Sequence, residues 1–190
     1  MKRILLGLLT AGLLAASTGS AVFGSDRDVC DSDKSTPEQT IRACTRIIGR
    51  NSNDAVAYYN RGIGYKNRND YTSAIADYST AIEINPNYAL AYNNRCAIYN
   101  KTEKYDLAIR DCTKALKIRS NYANAYAGRA VAYEGKGDVQ SAIEDYRSSL
   151  VADPNYQLAR DALERLGASQ EDDTAPSSSP AAAAAGARAK

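Results

Sequence analysis

The stretch Ala55–Tyr88, AVAYYNRGIGYKNRNDYTSAIADYSTAIEINPNY, is followed by two further copies of itself. Tyr58-x2-Arg61-Gly62-x2-Tyr65 returns as Tyr92-x2-Arg95-Cys96-x2-Tyr99 and as Tyr126-x2-Arg129-Ala130-x2-Tyr133. Ala74-Ile75-x2-Tyr78 returns as Ala108-Ile109-x2-Cys112 and Ala142-Ile143-x2-Tyr146. Pro86-Asn87-Tyr88 returns as Ser120-Asn121-Tyr122 and Pro154-Asn155-Tyr156. Every step is 34 residues. A fixed period of this size marks stacked supersecondary units, each too small to bury its apolar face alone.

These positions carry a resemblance. The order of aromatic, small residue, Tyr, Ala, aromatic and late Pro resembles the tetratricopeptide repeat (TPR), over residues 55–156 with partial units on either side. One position departs from the family pattern: Arg61, Arg95 and Arg129 stand where the family usually has Leu. The resemblance implies an all-α fold, a right-handed α-α superhelical solenoid of three hairpins. A half-repeat helix stands before them and a capping helix after.

Working outward, residues 1–21 read as a secretory signal peptide. Lys2 and Arg3 precede an apolar run from Ile4 to Ala16, and Ala15-Ala16-Ser17 and Gly19-Ser20-Ala21 both offer cleavage sites. The rival is an uncleaved anchor, but the run is short of the roughly 20 residues a span needs. Residues 22–36 form a polar, acidic arm. PEQTIRACTRII (37–48) is an amphipathic helix capped by Ser35 or Thr36, with Ile41, Cys44, Ile47 and Ile48 on one face. In the repeat register it is a second helix whose first helix is missing.

The three copies (55–88, 89–122, 123–156) predict six helices near 55–68, 71–84, 89–101, 105–118, 123–135 and 139–151. Asp70 and Asp138 serve as N-caps, and Pro86 and Pro154 stop helix extension between copies. Residues 155–167 predict one more helix, a cap over 157–167, completing a domain of 37–167. The remainder, 168–190, is rich in Ala, Ser and Pro, with too little apolar bulk to offset its ordering entropy, and is expected to be disordered.

Composition narrows the function. Histidine is absent, which removes the usual general base, the Ser-His and Cys-His pairs and the commonest metal ligand. Each acidic residue that can be placed falls at a cap, on a solvated face or beside a repeated Arg. No enzyme, cofactor or metal site is expected. A formal net charge of +2 gives no broad attraction to nucleic acid. The 14 tyrosines recur at repeat positions, so they read as helix packing rather than a base-stacking platform.

Four cysteines behind a secretory signal favour disulfides, and they allow three pairings. Cys96 holds the small-residue place of Gly62 and Ala130, and Cys112 the aromatic place of Tyr78 and Tyr146. The resemblance implies that these places face each other within one hairpin, so Cys96–Cys112 is expected. Cys30–Cys44 then pins the arm to the first helix. A loop of this length contributes on the order of 3 kcal/mol.

The resemblance also implies that the first helices line an inner groove where a bound peptide lies. The inward set is Val56, Tyr59, Asn60, Ile63 and Lys66, then Leu90, Asn93, Asn94, Ala97 and Asn100, then Asn124, Ala127, Gly128, Val131 and Glu134. Of these, Tyr59, Asn60, Ile63, Asn93, Asn94, Ala97, Asn124 and Val131 are the expected ligand contacts. Family members that clamp a C-terminal carboxylate do so with Lys, Asn and Arg. Tyr59, Ile63, Asn124 and Gly128 replace those groups and Asn94 alone matches, so no clamp is expected. Arg61, Arg95 and Arg129 are expected to pair with Asp77, Asp111 and Asp145. The expected function is an exported module, periplasmic or secreted, that binds a protein or peptide of unknown identity. Its contact with membrane is through the signal peptide alone. The alternative is an envelope scaffold acting by homo-oligomerisation or through its convex face.

Overall fold

A computed structural model describes residues 25–168. The signal segment, residues 22–24 of the arm and residues 169–190 lie outside the described residues. Among the described residues there are nine helices and no strand: α1 (Asp26–Asp31), α2 (Pro37–Arg50), α3 (Ala55–Asn67), α4 (Tyr71–Ile84), α5 (Ala89–Lys101), α6 (Tyr105–Ile118), α7 (Ala123–Gly135), α8 (Val139–Ala152) and α9 (Gln157–Arg165). They form an all-α repeat solenoid. Sequential helices pack as antiparallel hairpins, α3 on α4, α5 on α6 and α7 on α8.

Caps and turns set the boundaries. Asp70 accepts from the Ser73 amide and Asp138 from the Ser141 amide, satisfying one orphan N–H at the start of α4 and α8. The turn inside each hairpin needs one residue at positive φ: Asn69 at 60°, Glu103 at 57° and Gly137 at 79°. Asn and Gly tolerate that region, whereas Glu103 occupies it at a steric cost.

Small residues let the helices approach closely. Ala57, Ala91, Ala125 and Ala159 hold the third place of successive first helices, and all have 0% exposure. Ala81 and Ala115 give way to Ser149 in the third copy, where the buried hydroxyl donates to the Ala123 carbonyl at 3.0 Å. Gly62 lies under Tyr78, since an added Cβ would come within 2.7 Å of the ring.

Each repeated arginine ties three helices together. Arg61 donates to both oxygens of Asp77 at 2.8 Å, and Arg95 and Arg129 repeat this with Asp111 and Asp145 at 2.6–2.9 Å. The remaining terminal nitrogen reaches back to a hydroxyl on the preceding second helix: Thr45 for Arg61, Ser79 for Arg95 and Thr113 for Arg129. Rings of the flanking tyrosines, such as Tyr58 and Tyr65 for Arg61, lie 5.4–5.9 Å from the guanidinium.

Two expectations are corrected. Residues 26–31 are helical rather than an arm. Ser25 accepts from the Asp28 amide while the Asp28 carboxylate accepts from the Ser25 amide, a reciprocal cap. The first helix before α2 is therefore shortened, not missing. Cys30 and Cys44 are disulfide-bonded, as are Cys96 and Cys112, and no cysteine is free. Cys44 precedes Tyr78 by one period, so both bonds use the same second-helix place, whereas Cys30 falls two residues past the register position of Cys96. Arg46 and Arg50 pair with Asp26, fixing α1 on α2.

Removing one arginine strands a buried carboxylate. Arg95→Met is expected to cost about 3–5 kcal/mol in urea denaturation, and adding Asp111→Leu to recover most of that loss. Glu103→Gly, which relieves the left-handed strain, is expected to raise stability by about 1 kcal/mol in the same assay.

Candidate functional site: the face of the first helices

The first helices form a row in which α1 packs on α3 and α5 on α7. Each joint carries a side-chain bond from an inward position. Asn60 donates to Asp31 at 2.9 Å, joining α3 to α1. Asn94 donates to the Tyr59 hydroxyl at 3.0 Å, joining α5 to α3. Asn100 donates to the Gly128 carbonyl at 2.6 Å, joining α5 to α7. Arg165 grips both oxygens of Glu134 at 2.7 and 3.0 Å, joining α9 to α7.

This redistributes the expected contacts. Asn60 and Asn94 spend an amide hydrogen on a neighbouring helix, keeping one hydrogen and the amide oxygen for anything else. Ala97 and Asn124 are exposed, while Tyr59, Ile63, Asn93 and Val131 are half-buried. Val131 packs against the core that holds α9, and Ala127 is buried. The asparagine row breaks at Gly128 for a steric reason: a Cβ there would meet the Cys112 sulfur at 2.9 Å and the Cys96 sulfur at 3.5 Å. The disulfide beneath leaves no room for a side chain.

Tyrosines shape one edge of the row. The Tyr59 ring lies 4.9 Å from Tyr88 and 5.9 Å from Tyr78. Burial pushes the Tyr88 phenol up to about 12 and raises Tyr59 and Tyr122 as well, so all three stay neutral donors at ordinary pH. Tyr146 donates to Glu134 at 2.9 Å, whereas the Tyr78 hydroxyl is buried with no partner. Two steps of 34 residues carry Glu134 onto Lys66, so the first copy lacks the acceptor that the third supplies. Burial lowers the Lys66 pKa.

Hollows lie at both ends of the row. One, of about 280 Å³, lies between the α1–α2 turn and α3 and includes Asp31, Asp33, Thr40, Asn60, Ile63 and Asn67 in its lining. Its charged lining residues are the two aspartates. The other, of about 780 Å³, lies between α7 and α9 and includes Val131, Glu134, Tyr146, Leu158, Asp161 and Arg165. Sequence reading missed Asp31, Asp33 and the α9 residues. Ser25-x2-Asp28 was the available cap signal for α1, and Leu158 falls one period after Asn124 and two after Leu90. The helix expected only to cap the array also lines this face.

No group of three metal-ligating side chains occurs among the described residues, and no described helix is long and apolar enough to cross a membrane.

The tetratricopeptide repeat family profiles match residues 55–88, 89–122 and 123–156. No curated protein matches the chain. Among solved structures, the second TPR domain of human RPAP3, in complex with the HSP70 peptide SGPTIEEVD, is 30% identical with a TM-score of 0.57. That match covers 60% of this chain and 94% of the other. The Arabidopsis OM64 TPR domain is 29% identical with a TM-score of 0.59, covering 60% and 93%. MamA is 27% identical with a TM-score of 0.58, covering 62% of this chain and 64% of that one.

The Glu134–Arg165 bond has a pH signature. Hydrogen bonding from Arg165 holds the Glu134 carboxyl below its usual 4.5. A folded-state pKa below the unfolded one adds stability above about 4.5 that is lost as pH falls through the lower value. The stability lead of wild type over Glu134→Gln is expected at pH 7, shrinking in acid melts below pH 4.5.

Proposed function

The chain belongs to the tetratricopeptide repeat family, and from that premise we propose an exported, non-catalytic interaction module that holds an extended protein segment along the first-helix face. TPR relatives of this fold bind peptides, as the RPAP3 domain does. The observation that carries the reading is the polar, uncharged middle of the row. There Asn93, Asn94, Ala97 and Asn124 remain at least partly open to solvent between two hollows. Asparagine amides can meet a peptide backbone without reading its side chains.

The acidic lining of the α1–α3 hollow argues for a different ligand charge from that of SGPTIEEVD. Asp31 and Asp33 repel a carboxylate-rich end and favour an ammonium or guanidinium. Two disulfides support folding in an oxidising compartment. A second reading, a scaffold working through the second-helix side, draws on another hollow. Tyr92, Arg95, Arg110, Lys114 and Lys117 line it, and Arg110, Lys114 and Lys117 share one exposed stripe of α6.

Fluorescence polarisation with two labelled probes tests the first reading: SGPTIEEVD, and an uncharged Ala/Ser/Pro peptide carrying one Lys. The Lys probe is expected to bind at least tenfold more tightly, a difference of about 1.4 kcal/mol. Asp31→Asn with Asp33→Asn is expected to erase that preference. Equal binding of both probes, or loss of binding on Arg110→Ala with Lys114→Ala instead, would contradict it.

A further inference from the structure

We infer that the basic hollow on the second-helix side binds an acidic, extended segment of a partner protein, whose carboxylates at alternate residues meet Arg110, Lys114 and Lys117. This holds whether or not the first-helix face takes a ligand, since none of these residues belongs to that face.

The hollow measures about 430 Å³. Four cations line it against one carboxylate, and that carboxylate, Asp111, is taken on both oxygens by Arg95. Arg110, Lys114 and Lys117 are exposed, and among the described residues none of the three has an ion-pair or hydrogen-bond partner. Glu83 on α4 stands one period before Lys117, and Glu144 on α8 one period after Arg110. Both are exposed and neither pairs with the stripe.

The stripe belongs to one copy. Its places read Ala76, Thr80 and Glu83 in the first copy and Glu144, Ser148 and Val151 in the third. Over residues 89–122 the middle copy has seven basic residues against three acidic, whereas the first has three against three and the third has three against five. The solenoid therefore folds without cations at these places. In α6 they work against it: Arg110 and Lys114 are like charges four residues apart, a destabilising pair on a helix surface. Lys117, in the last turn, alone gains from the helix dipole.

Geometry selects the occupant. Arg110, Lys114 and Lys117 rise along α6 in steps of about 6 Å and about 4.5 Å. An extended chain sets side chains on one side about 6.6 Å apart, so alternate carboxylates fall within reach of successive cations. A compact anion such as phosphate is held by converging donors or free backbone amides. Here the cations spread over about two turns of helix interior, whose amides are already bonded. A bilayer is flat and meets only the rim of a hollow. A nucleic-acid strand seeks stacking faces. The ring in this lining, Tyr92, is half-buried with the Arg95 guanidinium 5.8 Å from its centre.

Fluorescence polarisation of the full chain with labelled SESESES and uncharged SQSQSQS tests this. SESESES is expected to bind and SQSQSQS not, with affinity falling roughly tenfold from about 50 to about 300 mM salt. Arg110→Gln with Lys114→Gln is expected to weaken SESESES binding by roughly tenfold or more, while Asp31→Asn with Asp33→Asn leaves it unchanged. The same basic-site variant is expected to melt no lower than wild type at low salt, because it removes a like-charge pair. SESESES binding that survives the variant, or a variant that melts well below wild type, would overturn the inference. So would tighter binding of a thymidylate oligomer, which makes the hollow a nucleic-acid site, or of phosphatidylglycerol vesicles, which makes it a membrane site. Self-association of the chain that the variant abolishes would overturn it in favour of a second copy. If the Lys probe binds and SESESES does not, this inference alone falls. If SESESES binds and the Lys probe does not, the groove reading falls and the basic site stands.

Discussion

The largely buried guanidinium of Arg61, Arg95 and Arg129 is the constraint on which the rest of the stack depends. A guanidinium has five N–H donors and cannot shed its charge, so burial demands acceptors from several directions at once. Asp77, Asp111 and Asp145 supply one side from the same hairpin, while Thr45, Ser79 and Thr113 supply the other from the hairpin before. A leucine at this place would be content with any apolar contact. The arginine accepts one register. It also marks where the array can end: the equivalent place in α9 is Leu163, beyond which the described chain has no second helix to offer a carboxylate.

The interior alternates from hairpin to hairpin. The aromatic place reads Cys44, Tyr78, Cys112 and Tyr146 in succession, and every second hairpin is closed by a disulfide. A tyrosine ring leaves room for only a small residue in the facing helix, Gly62 against Tyr78 and Ala130 at the same place in the third copy. A disulfide fills less space in its own hairpin but pushes outward on the next, and Gly128 is the result. Tyrosine and disulfide layers therefore alternate along the stack. The gap in the asparagine row is a by-product of that packing, not a choice about ligand.

The helices were legible because periodicity and punctuation agree. The 34-residue period and the Ala-rich faces point to six segments, the Asp caps at 70 and 138 and the Pro stops at 86 and 154 agree with them, and the observed limits differ by a residue at most from those in the sequence. The face was less legible. Periodicity tells which residues point inward, but not that Asn60 would turn to Asp31 or Asn94 to Tyr59, because those bonds join residues 29 and 35 apart with no local signature. α1 escaped notice since six residues are too few to show a helical period. The two sides of α9 are legible in its sequence, but not that Leu158, Asp161 and Arg165 share a hollow with Val131 and Glu134.

Both disulfides close loops within a hairpin, with sequence separations of 14 and 16, and neither crosses from one hairpin to the next. Under a pulling force each disulfide carries the load past the loop it closes. The joints between hairpins are held by side-chain bonds and apolar packing without a covalent cross-link, while α1–α2 and α5–α6 each withhold roughly 50 Å of chain from extension. Such a stack would yield joint by joint, like a chain with every second link welded.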